Sequence, residues 1–250
     1  MKEQALVPHL ISGFEQHLSY YEANPPFARP AQLSTHRKTI DLRRQLGTAS
    51  AALADNRFLD SLAETLKAWG VGSHNSILAE PAEFRRQLRS QAPNITALDG
   101  LLIDEAEAST GDQLWRIVRS LNIVLGRQTL KPTQSKTVGG SKALHHILPE
   151  LMAPIDRTYT GAFLLRMESY HFQNPSQEAE TFRIAFESFR AIAKFANPTQ
   201  YVGRHLWNTS RTKVIDNAIA GFVAQVKAKI GKEFLNGRRG DSLGGGGTAC

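Results

Sequence analysis

Residues 178–196 read EAETFRIAFESFRAIAKFA. Phe182, Phe186, Phe189 and Ala193 recur three or four residues apart, while Arg183, Glu187, Arg190 and Lys194 fall on the other side. This is the 3.6-residue period of a helix with one face in a core and one in water. Asn174-Pro175-Ser176 opens the segment and Asn197-Pro198 closes it, since proline is accepted in a first helical turn and stops a helix beyond its end.

The same period runs outward in both directions. Thr209 or Ser210 starts a final helix with a stripe of Val214 or Ile215, Ala218, Ile219, Phe222, Val226 and Ile230. At the other end Leu6, Leu10, Phe14 and Leu18 step by four until Asn24-Pro25-Pro26. Ser34 or Thr35 caps a helix through Arg44, whose exposed face is expected to carry His36, Lys38, Arg43 and Arg44. A helix from Asn56 to Trp69 buries Phe58, Leu62, Leu66 and Trp69, and Gly70-Val71-Gly72 ends it. Pro81 opens a helix bearing Arg85, Arg86 and Arg89, a set that more often forms a solvated face paired with acids than a phosphate site. Pro93-Asn94 opens a short helix, and Asp112 caps another that runs to Leu125.

No segment alternates strictly between apolar and polar residues, so the expected fold is all-α. It is read as one compact domain of about nine to eleven helices over residues 1–236. The acidic linker near 104–112 is the candidate place for a subdivision. Residues 237–250, ending GGGGTAC, are expected to be a disordered tail.

Composition narrows the function classes. Of the 250 residues 41% are hydrophobic and 21% charged, as in ordinary globular proteins. No apolar run approaches the ~20 residues of a membrane span, and no membrane partner is expected. The first residues, MKEQALVPHLISGFEQHLSYYE, mix Gln, Glu and His into the apolar positions, unlike a secretory leader, so a cytoplasmic location is expected. Cys250 is the single cysteine, which excludes a disulfide within the chain and a cysteine-rich metal site. A net charge of +7, partly from Lys227, Lys229, Lys232, Arg238 and Arg239, favours DNA or another polyanion as partner.

Chemistry-bearing residues crowd into 138–163, VGGSKALHHILPELMAPIDRTYTGAF. Gly139-Gly140-Ser141-Lys142 reads as a glycine-rich turn before a short helix from Lys142 to Leu148, where backbone N–H groups, a hydroxyl and an ammonium suit phosphate. The spacing is not that of a nucleotide-hydrolase loop, which needs Gly-Lys-Ser/Thr after a strand. His145 and His146 are adjacent and point about 100° apart on a helix, so no metal is expected. One imidazole should pack inside and the other reach the surface. Asp156 precedes a helix expected from Thr158 to Met167, where it can cap, orient a histidine or act as a general base. Lys142 and Asp156 are the candidate catalytic residues, with His145, Arg157 and Tyr159 in support.

The order Val138-Gly139-Gly140-Ser141-Lys142-Ala143, an apolar helix, then Pro154-Ile155-Asp156 resembles the core of the helix-hairpin-helix DNA glycosylase superfamily. That resemblance implies a phosphate-binding hairpin, with Lys142 as the lysine that follows it in some members and Asp156 as the aspartate that assists base excision. It departs at the opening, where Lys136-Thr137-Val138 replaces the usual Leu-Pro-Gly. The longer string SKALHHILPELMAPIDRTYT also resembles uncharacterised bacterial all-helical proteins with Lys-x-Leu-His-His and Pro-x-Asp-Arg segments, and this implies no activity.

Three functions remain open, in this order. The first is DNA binding through the glycine-rich turn, the second a helical interaction or scaffold role without a ligand. The third is a DNA-processing enzyme of glycosylase or lyase type using Lys142 and Asp156. None calls for a cofactor.

Overall fold

The structure, a computed structural model, describes residues 6–26, 29–73, 75–133, 135–165 and 175–240. The first apolar run is two helices, α1 (Val7–Ser12) and α2 (Phe14–Ala23), divided at Gly13, and Leu10, Phe14, Leu18 and Tyr21 point into the core. Next come α3 (Pro30–Leu46), α4 (Ala49–Ala54) and α5 (Asn56–Ala68). The short α6 (Pro81–Ser90) and α7 (Ala92–Thr96) each carry proline in the first turn, where its missing N–H leaves no helical bond unmade. Helix α8 (Ala108–Ser120) then leads to α9 (Thr137–Ile147) and α10 (Thr160–Leu165). Helix α11 (Pro175–Ala196), a 3-10 turn (Pro198–Tyr201) and α12 (Arg211–Gly240) complete the order. The fold is mostly helical, as the periodicity predicts. Among the described residues no helix is long and apolar enough to cross a membrane.

Several local expectations are corrected. Helix α8 starts four residues before Asp112, which therefore caps nothing, and it stops at Ser120, so that Val124–Gly126 forms a strand (β2) antiparallel to Ser76–Leu78 (β1). Helix α3 starts at Pro30, and its supposedly exposed His36 and Arg43 are buried. Arg43 donates from Nε to the Ile147 carbonyl at 2.7 Å and forms an ion pair with Asp99 at 2.6 Å, which is how a buried guanidinium is tolerated. Residues 241–250 of the expected tail lie outside the described residues, as does the end of the helix expected to reach Met167. Val226, expected in the α12 stripe, is exposed.

The arginine face of α6 behaves as the commoner reading predicts. Arg85 pairs with Asp60, Arg86 with Glu83, and Arg89 donates to the carbonyls of Leu53 and Ala54. The main hydrophobic core runs from Val7 on α1 to Val223 on α12, with the three phenylalanines of α11 inside it, and a small second cluster holds Tyr21, Trp207 and Ala220.

Helices α2 and α12 pack closely because Gly221 offers no side chain. A Cβ there would lie 2.0 Å from the His17 carbonyl oxygen and 3.2 Å from the Tyr21 Cβ. Backbone cannot yield as a side chain end can, so Gly221→Ala should push α2 off α12. The gain in helix propensity, about 1 kcal/mol, offsets only part of that strain. The expected net loss is about 2 kcal/mol, seen as a lower midpoint in chemical unfolding, whereas an unchanged midpoint would contradict this packing.

Candidate functional site

The residues that make the site are fastened together by one hydrogen bond between neighbours in space. The buried Ser141 hydroxyl on α9 accepts from the Ile155 N–H at 3.0 Å. This bond ties α9 to the Pro154–Asp156 segment one residue before both Lys142 and Asp156, so those two side chains reach the same place.

They reach a cavity of about 170 Å³ lined by Trp69, Lys142, Pro154, Asp156, Thr158, Tyr159, Trp207, Lys213 and Asp216. Trp69 follows α5, Trp207 lies in the connector before α12, and Lys213 and Asp216 sit on the first turns of α12. A wider groove of about 590 Å³ adjoins it, sharing Lys142, Asp156 and Thr158 and edged by the 70–73 turn, Gly139 and Arg157.

Lys142 donates from Nζ to the Trp69 carbonyl at 3.0 Å and stands 5.9 Å from the Trp69 ring centre. Burial pushes its ammonium down from the ordinary lysine value, while Asp156 and Asp216 pull it back up. Asp156 accepts the N–H groups of Thr158 and Tyr159 on a single oxygen, Oδ1, both at 2.7 Å. It therefore caps the turn into α10 and keeps Oδ2 clear of every described hydrogen-bond donor.

The floor of the cavity is a charge pair. Lys213, 1% exposed, donates to Asp216 Oδ2 at 2.5 Å and to Asn217 Oδ1 at 2.7 Å. The rings of Trp207, Trp69 and Tyr21 surround its ammonium at 5.2, 5.5 and 5.8 Å, a cation–π cage. Burial pushes the Asp216 carboxyl up, against the pull of Lys213.

Behind Trp69 three imidazoles meet, and their tautomers follow from their partners. His146 Nδ1 lies 2.7 Å from the Lys142 carbonyl, which can only accept, so Nδ1 carries the proton and Nε2 is an acceptor. His36 Nδ1 donates to that Nε2 at 2.9 Å, and His36 Nε2 accepts from the Thr209 hydroxyl at 2.8 Å. His145 Nδ1 donates to the Met152 carbonyl at 2.9 Å, and its Nε2 is buried without a hydrogen-bond partner. All three rings are neutral because burial holds them below the ordinary histidine value, His146 at about 4. Among the described residues no group of three His, Cys, Asp or Glu is placed to hold a metal ion.

Lys142, Asp156 and Tyr159 thus share one cavity, Arg157 edges only the groove, and His145 packs behind the wall. Both histidines of the pair are buried, against the expectation that one reaches the surface. The glycine-rich turn is corrected most sharply. Gly139 and Gly140 lie inside α9, where a Cβ would meet Val124 and Val118 at 2.7 and 2.8 Å, so they serve close packing. The amides of Lys136 and Thr137 at the start of that helix already donate to the Glu178 carboxylate, each at 2.7 Å, and an internal anion occupies the place a phosphate would take.

No family model, curated protein or solved structure matches this chain. Trp69, Trp207, Lys213 and Asp216 are missing from the sequence-derived site. One signal for them exists: Lys213, Asp216 and Asn217 stand three and four residues apart, so they share one face of α12 beside its apolar stripe.

Proposed function

We propose that this protein binds DNA along the groove and acts on a single nucleotide admitted to the cavity, as an enzyme of glycosylase or lyase type. What supports this reading is the convergence of Lys142, Asp156 and Tyr159 on one aromatic-walled cavity that adjoins a larger groove. Binding through the glycine-rich turn drops out of the reading, and contact with the strand falls to Arg157, Lys142 and the polar edge of the groove.

The chemistry would fall to two side chains. A lysine held below its ordinary value by burial offers more neutral amine at pH 7 than a solvated one. Its nitrogen can add to the C1′ aldehyde of an abasic sugar, the carbonyl oxygen leaving as water, to form a Schiff base. Asp156, with Oδ2 open, can accept the proton that the attacking amine or a water gives up.

Borohydride converts such a Schiff base to a stable amine, so the reading predicts covalent capture of the protein on abasic DNA. Lys142→Ala should abolish capture, while Lys194→Ala, on the exposed face of α11, leaves it intact. Titration with duplex, abasic and single-stranded DNA at two salt concentrations separates binding from chemistry. Binding without capture, strand cleavage or base release removes the enzyme and leaves a binding protein. No binding to any strand at low salt removes both, and the scaffold role then stands, favoured by the structural use of Gly139, Gly140 and Glu178.

A further inference from the structure

We infer that Asp216, on α12, selects the occupant of the cavity: a neutral planar heterocycle that presents an N–H donor to its carboxylate and an acceptor to Lys142. This rests on the proposed function and names the class of group that the cavity admits.

Size, walls and charge point the same way. A cavity of about 170 Å³ is close to the roughly 150 Å³ that holds a benzene-sized ring. Trp69, Trp207 and Tyr159 line it with aromatic surface, which favours a flat guest able to stack. Two lysines and two aspartates line it too, so its charges balance, and a charged guest would bring one more charge out of water without a partner.

The open hydrogen-bonding positions then set the guest's edge. Asp216 gives Oδ2 to Lys213, and Oδ1 accepts from no described residue although the side chain faces the cavity. A carboxylate only accepts, so its complement is an N–H. Lys142 spends one proton on the Trp69 carbonyl, and its other protons call for a carbonyl or ring nitrogen. A planar ring that carries both an N–H and a C=O or ring nitrogen on its edge offers a partner to each.

Calorimetric titration of the unaltered protein with uracil, cytosine and N,N′-dimethyluracil tests this directly, since methylation removes both ring N–H groups. Uracil and cytosine should bind at least about tenfold more tightly than the dimethyl compound. In Asp216→Asn, its fold checked by circular dichroism, the side-chain amide can donate to a carbonyl, and the preference should shrink several-fold.

Equal affinities in the unaltered protein, no binding of any of the three, or an undiminished preference in a folded Asp216→Asn protein would each overturn the inference. The last outcome would mean that methyl bulk rather than the lost N–H sets the preference. Selective binding of free heterocycles without DNA binding or capture supports the role of Asp216 and removes the DNA reading. Capture on abasic DNA with no selectivity among heterocycles does the reverse.

Discussion

Between about pH 7 and about pH 4 the protein is expected to lose stability at up to about 4 kcal/mol per pH unit, as three buried imidazoles compete with the unfolded chain for protons. His36, His145 and His146 are each 0% exposed, and burial lowers all three, with their mutual proximity and the charges of Lys213, Arg44 and Lys142 adding to it. Hydrogen bonds to the Met152 and Lys142 carbonyls oppose the shift in His145 and His146 without reversing it.

The sign follows from where each state takes up its proton. Unfolded, these rings protonate near pH 6.5, whereas folded they stay neutral down to about 4 for His146 and well below 6.5 for the other two. Their contribution is complete above about pH 6.5 and is lost as the pH falls through the window below it. Asp216 works the other way, since its raised carboxyl takes a proton more readily in the fold, but it is one group against three. Melting temperatures measured across this range should fall steeply, and the slope should lessen by about a third in His36→Gln, whose amide can still donate to His146 and accept from Thr209. A melting temperature that stays level from about pH 7 to about pH 5 would show that the three rings are not buried neutral in solution.

The imidazole cluster also shows where the sequence stops being legible. Helices follow from local periodicity, and that signal was strong: the faces of α2, α5 and α11 are buried as the spacing of Leu18, Leu62 and Phe186 requires. A pocket depends on which helices meet, and no local pattern carries that. His36 and His146 lie 110 residues apart yet hydrogen-bond, and nothing around His36 in STHRKT distinguishes a buried ring from a solvated one. Gly139-Gly140 misled for a related reason. Two glycines fit a turn and equally fit two helices in close contact, and only the positions of Val118 and Val124 decide between these uses. Lys142 and Asp156 were legible because they lie in one short segment that a single Ser141 hydrogen bond closes on itself.

Lys213→Ala is expected to destabilise the protein by about 3–5 kcal/mol, because it leaves Asp216 buried as an uncompensated charge and empties the cage of Trp69, Trp207 and Tyr21. In a chain of this length that lowers the melting temperature by roughly 10 °C. Lys213→Met fills most of the cage but still strands the carboxylate, so it should recover only part of the loss. Combining Lys213→Met with Asp216→Asn removes both charges, and an ion pair deeply removed from water can be replaced in this way with little net cost. The double variant should therefore melt well above the sum of its single losses, a coupling of about 2 kcal/mol or more. Strict additivity would mean that the two charges do not depend on each other in solution. Because stability is served nearly as well by the uncharged pair, the double variant also separates the two roles of Asp216. If it melts close to the unaltered protein and no longer distinguishes uracil from its dimethyl derivative, the charge pair belongs to recognition. If it melts so and keeps the distinction, the carboxylate has no part in choosing the guest, and the aromatic walls together with Lys142 must account for it.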